Sequence, residues 1–277
     1  MSDHKASRTA LGTAYLRAAH QLLDAQPRIL DDPVALSLLG PAALQRINDT
    51  TDQYRTPEML ALRAHVVLRS RFAEDRLAAA VLRGIKQYII LGAGFDTFAL
   101  RQPPWARALK ILEVDQPGTQ AMKHSHLAAA DLAMPENAGF ASIDLEGESL
   151  RHGLLRYHVL VDEPTFISWL GVTMYLKQDA IDAVLRSIAT FPAGSEMVLT
   201  FAPSRDDSPS SVARRAASLG EPWVSYFEPE ELEARLRSAG FSKVEFLSPA
   251  EAEARYFRQR PADLPVPKRT NILSAVL

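Results

Sequence analysis

Between residues 88 and 101 the chain reads YIILGAGFDTFALR: a β-branched and aromatic run, two glycines, an aspartate and a short apolar stretch. A strand feeding Gly92-Ala93-Gly94 and then a helix presents free backbone N–H groups and the positive end of a helix dipole at the carboxyl edge of a sheet. Glycine at both places permits positive φ and close backbone approach, and ligands of open α/β sheets settle at that edge. A bland tight turn would use the same residues. The spacing is G-x-G-x-x-T, so Thr97 stands where the dinucleotide fingerprint has its third glycine. About 20 residues on, EVD ends a second apolar run, which places Asp115 or Glu113 where an acid grips ribose hydroxyls. A third run ends in SIDLE, so Asp144 reaches the same edge, able to accept a hydrogen bond from an exocyclic amine such as that of adenine. Any single carboxylate there could equally be a solvated acid or a helix N-cap. Their recurrence at successive strand ends favours a nucleoside site.

Such a site needs a sheet whose strands run the same way. Seven segments read as strands: QYIILG, LKILEVD, GFASID, TFISWLG, SEMVLTF, KVEFLS and NILSAVL. Between them lie crossovers long enough for helices, among them LKQDAIDAVLRSIATFPAG and EPEELEARLRSAG, and such alternation implies a mostly parallel sheet covered on both faces. Upstream, residues 1–84 read as helices, with Ala10, Leu11, Ala14, Tyr15, Ala18, Ala19 and Leu22 on one face. A long helix then follows Thr56 as N-cap with Pro57 at the first helical position, and Gly84 stops it. The expected organisation is a helical cover and long helix over 1–84 and a Rossmann-like core over 85–277, packed as one unit. The segment Pro203 to Gly220 reads as a loop, and with the first helices it is best placed to roof a pocket at the sheet's edge. Removal of residues 1–24 is expected to spare cofactor binding and to abolish turnover.

With 31 Lys and Arg against 33 Asp and Glu, a net charge of −2 and no long basic run, the chain lacks the footprint of a nucleic-acid binder. Zero cysteines exclude disulfides, thiolate metal sites and a cysteine nucleophile. No apolar stretch has the length of a membrane span, and the first residues carry no signal-peptide pattern. The expectation is a cytoplasmic protein with a small, weakly charged partner.

LGAGFDTFALR, EVDQP, IDL and WLGVTMYL, preceded by RSRF in the long helix, resemble the leucine carboxyl methyltransferase family. RTALGTAYLRAA and LDDPVA resemble that family's N-terminal cover. The resemblance implies a class I fold and S-adenosyl-L-methionine as cofactor. The family also holds bacterial O-methyltransferases acting on polyketides and other small metabolites, so the implied reaction is methylation of a small-molecule hydroxyl or carboxylate in secondary metabolism. Alternatives are methylation of a protein C-terminal carboxylate, an NAD-dependent oxidoreductase, and a non-enzymatic nucleoside-binding protein. Position by position, the resemblance implies that Gly92 and Gly94 pack against the methionine part of the cofactor with Asp96 nearby. Asp115 would bind the ribose, Asp144 and Leu145 would frame the adenine, and Arg71 would pair with the cofactor's carboxylate. One departure is visible: Leu170 stands where many relatives have the glutamate of E-G-x-x-M-Y-L. Trp169, Thr173, Met174 and Tyr175 are expected as wall or core residues. None of the seven histidines stands out as a base, and no catalytic residue is assigned. His65 lies on the long helix, His124 and His126 follow the second strand, and His158 lies near the fourth.

Overall fold

The computed structural model describes residues 6–204 and 210–277. Strands β1 (Gln87–Leu91), β2 (Lys110–Asp115), β3 (Ala138–Ser142), β4 (Thr165–Trp169), β5 (Glu196–Thr200), β6 (Lys243–Phe246) and β7 (Ile272–Val276) form one sheet in the order β3-β2-β1-β4-β5-β7-β6. All neighbours are parallel except β7, which runs antiparallel to β5 and β6. The chain walks outward from β1 to β3 and restarts at β4 on the other side. The order therefore reverses between β1 and β4, and a crevice opens outside their carboxyl ends.

Among the described residues eleven α-helices surround the sheet: α1 (Arg8–Leu23), α2 (Val34–Leu39), α3 (Pro41–Asp49), α4 (Thr51–Tyr54), α5 (Pro57–Leu82), α6 (Pro117–Ala129), α7 (Leu150–Arg156), α8 (Gln178–Ile188), α9 (Ser211–Ser218), α10 (Pro229–Ala239) and α11 (Pro249–Ala252). Every residue of β1, β4 and β5 is buried, as expected of central strands covered on both faces. Their side chains alternate between two cores. Ile89, Leu91, Ile167 and Leu199 pack under α7, α8 and α10, whereas Tyr88, Ile90, Phe166 and Val198 pack against Val67, Leu68 and Phe72 of α5. Thr56 accepts the Met59 N–H at the start of α5, and Pro57 follows it at the first helical position.

Helix α1 is more than a cover. Ala14, Ala18 and Ala19 are fully buried in a third apolar cluster with Leu38, Ile47 and Phe95. Arg17 donates to Asp32 at 2.9 Å and to the carbonyl of Phe95. His20 and Arg63 both engage Asp24, each at 2.7 Å. Deleting residues 1–24 would strip Arg63 of its carboxylate and leave Asp32 with Arg101 alone, so the deletion is expected to disturb the fold, and cofactor binding with it, instead of turnover alone. The segment read as a loop after β5 also differs. Helix α9 occupies part of it, capped by Ser210, whose hydroxyl accepts the Ala213 N–H; residues 205–209 lie outside the described residues. Among the described residues no helix is long and apolar enough to cross a membrane, and no cluster of His, Asp and Glu could hold a metal.

Candidate active site

A cavity of about 1900 Å³ lies at the carboxyl ends of β1, β2 and β4. Its floor holds Gly92, Gly94, Asp96, Asp115 and Gly171; α1, one face of α5 and the segment 219–224 enclose it. Gly92 and Gly94 have φ of 64° and 51°. A Cβ on Gly92 would come within 2.2 Å of Val172 Cγ2, and one on Gly94 would lie 3.0 Å from the Cβ of Ala10 in α1. The turn is thus pressed between the β4 loop and the first helix, with no room for side chains.

Asp115 closes the end of β2. Its carboxylate accepts the Gly94 N–H at 2.6 Å and the Gln116 N–H at 2.7 Å. Burial holds its pKa above the ordinary value despite both bonds. A carboxylate has about four lone-pair sites, so two remain for a ligand's hydroxyls. Glu113 is excluded from that role: two residues back, it is buried in an ion pair with Lys123. Asp96 also lines the cavity, while its Oδ1 accepts the Phe98 N–H at 2.8 Å and its carbonyl accepts from Lys123 at 2.6 Å.

Two residues assigned from the sequence lie outside the cavity lining. Asp144 does not line the cavity, although Ile143 and Leu145 on either side do. Its Oδ1 accepts the Glu146 N–H at 3.0 Å, and its carbonyl accepts from Gly147 and Glu148, so the side chain builds the turn after β3. Arg71 lies outside the cavity as well, paired with Asp75 at 2.8 Å and with a half-exposed side chain. The arginine that lines the cavity is Arg69. Successive helical residues are about 100° apart, so positions 69 and 71 cannot share a face. Arg69 forms no hydrogen bond or ion pair with the described residues, and its guanidinium lies where a Cβ on Gly171 would be 2.5 Å away. Burial and the neighbouring Arg17 pull its pKa down to about 10. A partly buried cation with no salt-bridge partner among the described residues, influenced by Asp96 only through space, suits an anionic ligand.

One turn before Arg69, His65 lines the same cavity and has no hydrogen-bond partner among the described residues. His124, His126 and His158 do not line it, and His126 is occupied with the carbonyl of Leu38. The i, i+4 spacing of His65 and Arg69 was visible in the sequence. Which helix face met the sheet's edge was not.

The roof is held by one carboxylate. Glu221 accepts the backbone N–H groups of Arg8 and Thr9 and the hydroxyls of Ser7 and Thr9, at 2.5–3.3 Å. A negative group there satisfies free donors of α1 and complements its dipole. Glu221→Gln is expected to weaken this end of α1 by about 0.5–2 kcal/mol, the range for lost helix caps. Amide exchange at residues 8–10 should accelerate while the global unfolding midpoint holds. Unchanged exchange there would show that the contact does not hold the roof.

Sheet order, glycine turn and the acid ending β2 together define a class I methyltransferase fold. The chain belongs to the leucine carboxyl methyltransferase family, whose sequence profile matches residues 10–189. YktD of Bacillus subtilis strain 168 is 29% identical over 309 residues, spanning 100% of this chain and 99% of YktD. A protein of Parafrankia sp. strain EAN1pec is 30% identical across 77% of this chain and 69% of its own length. Both carry provisional designations as S-adenosyl-L-methionine-dependent methyltransferases. A Thermobifida fusca crystal structure, provisionally designated a methyltransferase, has the same fold: TM-score 0.58, 18% identity, 99% of this chain and 95% of that one.

Proposed function

We propose that this enzyme uses S-adenosylmethionine, its cofactor, to methylate an oxygen of a small molecule held in the same cavity. The unpaired Arg69 carries the reading, because it supplies a planar, enclosed cation suited to the cofactor's carboxylate. The Gly92–Gly94 turn would lie against the methionine part, with Asp96 beside it. Asp115 would take the ribose hydroxyls, and Leu145 would form a wall for the adenine. Bound there, S-adenosylmethionine supplies a methyl group on a positively charged sulfur. The protein's task is then to align an oxygen in line with that methyl and to keep water out. The cavity exceeds the roughly 300–1,000 Å³ of a one-ligand pocket, which leaves room for an acceptor beside the cofactor.

Arg69→Lys keeps the charge and loses the fork, so cofactor affinity is expected to fall about tenfold, near 1.4 kcal/mol. Arg71→Lys should bind as the unmodified protein does. Calorimetric titration with S-adenosylmethionine and S-adenosylhomocysteine, with NAD as control, checks both. A weakened Arg71 variant beside an unaffected Arg69 variant would reverse the assignment, and heat from NAD alone would discard the cofactor.

A further inference from the structure

Four residues separate His65 from Arg69 on α5, which puts both on one helix face about 6 Å apart along the axis. Both line the cavity, and the His65 ring has no partner among the described residues. Asp115 and Leu145 stand at the sheet's edge, at the end assigned to ribose and adenine, so His65 belongs with the methionine end. Beyond it the cavity is lined by Tyr15, Tyr54, Met59, Leu62 and Trp223. Those side chains suit a flat, largely apolar molecule.

We infer that His65 accepts the hydroxyl proton of a neutral aromatic acceptor, so that the enzyme methylates phenolic oxygens. This rests on the methyl-transfer reading given above. Burial, with Arg69 adding to it, pulls the His65 pKa down to about 3, so the ring is uncharged at neutral pH but a weak base, able to take the proton only as the methyl bond forms and the hydroxyl becomes strongly acidic. A neutral imidazole can receive an O–H proton, whereas an anionic carboxylate acceptor would be better met by a cation. In the transfer, the acceptor O–H bond breaks and its proton passes to the His65 ring nitrogen. The oxygen's electron pair forms the new bond to the methyl carbon. The carbon–sulfur bond breaks with its pair left on sulfur, and the imidazolium then releases its proton to water. The positive charge leaving sulfur matches the one gained by His65, and the cofactor's carboxylate offsets Arg69. Imidazolium formation therefore adds no net charge to an enclosed site.

The test uses the full chain, a panel of substituted phenols of graded acidity, and the variants His65→Gln and His65→Leu, each checked for native circular dichroism. With weakly acidic phenols, kcat should fall about 10²–10⁴-fold, the range for a lost general base, while KM stays within a few-fold. Nitrophenols already ionised at the assay pH should lose far less. In the cofactor-free protein, the His65 ring carbon–proton resonance should shift on adding a phenol and stay put with the matching methyl ether. Equal loss for neutral and ionised phenols, no loss for either, an unmoved resonance, or turnover of carboxylic acids with phenols inert would each overturn the inference. Cofactor titration separates the failures: if the protein binds no S-adenosylmethionine, the cofactor reading falls; if it binds and no phenol is methylated, only this inference does.

Discussion

Replacing Asp24 by alanine is expected to remove about 3–5 kcal/mol of stability, the cost of stripping one partner from a buried ion pair. Among the described residues Asp24 is the only counter-charge given to Arg63, whose side chain is 1% exposed, and it also accepts the 2.7 Å bond from His20. Leu30 N–H donates to His20 Nε2 at 3.4 Å, which leaves the Nδ1 proton directed at Asp24. One carboxylate thus ties α1, the segment after it and α5 together. Burial raises the Asp24 pKa, but the bonds from His20 and Arg63 outweigh it, and the carboxyl ends below its ordinary value. A depressed folded pKa stabilises above the unfolded value of about 3.9 and loses that contribution as pH falls through the folded one. The difference between the unmodified protein and Asp24→Ala should therefore be full at pH 7 and shrink below about pH 4. Urea unfolding at both pH values measures it. A loss under about 1 kcal/mol at pH 7 would mean that water or a rearranged neighbour replaces the carboxylate.

Asp115→Ala is expected to raise the cofactor dissociation constant by about ten- to a hundredfold, or about 1.5–3 kcal/mol, the value of hydrogen bonds to a charged group. The carboxylate has a double task. Its bonds to the Gly94 and Gln116 N–H groups hold the glycine turn in shape, and the residue lines the cavity. Asp115→Asn separates the two: the amide oxygen can still accept from Gly94, but the negative charge is gone. The asparagine variant should keep most of the thermal stability and recover part of the affinity. Calorimetric titration beside thermal unfolding resolves both effects. An alanine variant that binds as tightly as the unmodified protein would show that the carboxylate serves the turn alone.

Much of the architecture was readable because local rules and burial agree. Each of the seven segments read as strands forms one, since β-branched and aromatic runs bounded by turn residues have few other ways to bury themselves. The caps of α5 were legible for a similar reason: Thr56 and Pro57 satisfy backbone groups that any helix start leaves open. The parallel sense of the sheet followed from crossover length. The carboxyl-edge turn was legible too, because Gly92 and Gly94 signal a backbone that side chains cannot follow.

Direction was the property that the linear text did not carry. RSRF offers arginines at 69 and 71, and nothing local says which points at the crevice; that depends on how α5 rolls against Tyr88, Ile90 and Phe166. Asp144 follows the same logic. Its neighbours Ile143 and Leu145 line the cavity, while its own carboxylate accepts the Glu146 N–H in the turn. Helix α1 was legible as amphipathic, yet its role as a core element rests on Asp24, Asp32 and Phe95 O, partners distributed along the chain. Strand positions, strand sense and the chemistry of the glycine turn are written in short-range steric and hydrogen-bonding preferences, which the residue string carries, although helix α9 within the segment read as a loop was missed. Which arginine, which aspartate and which histidine share the cavity is set by long-range packing, where a rotation of 200° about a helix axis, two residues' worth, exchanges a cavity-lining cation for a surface charge.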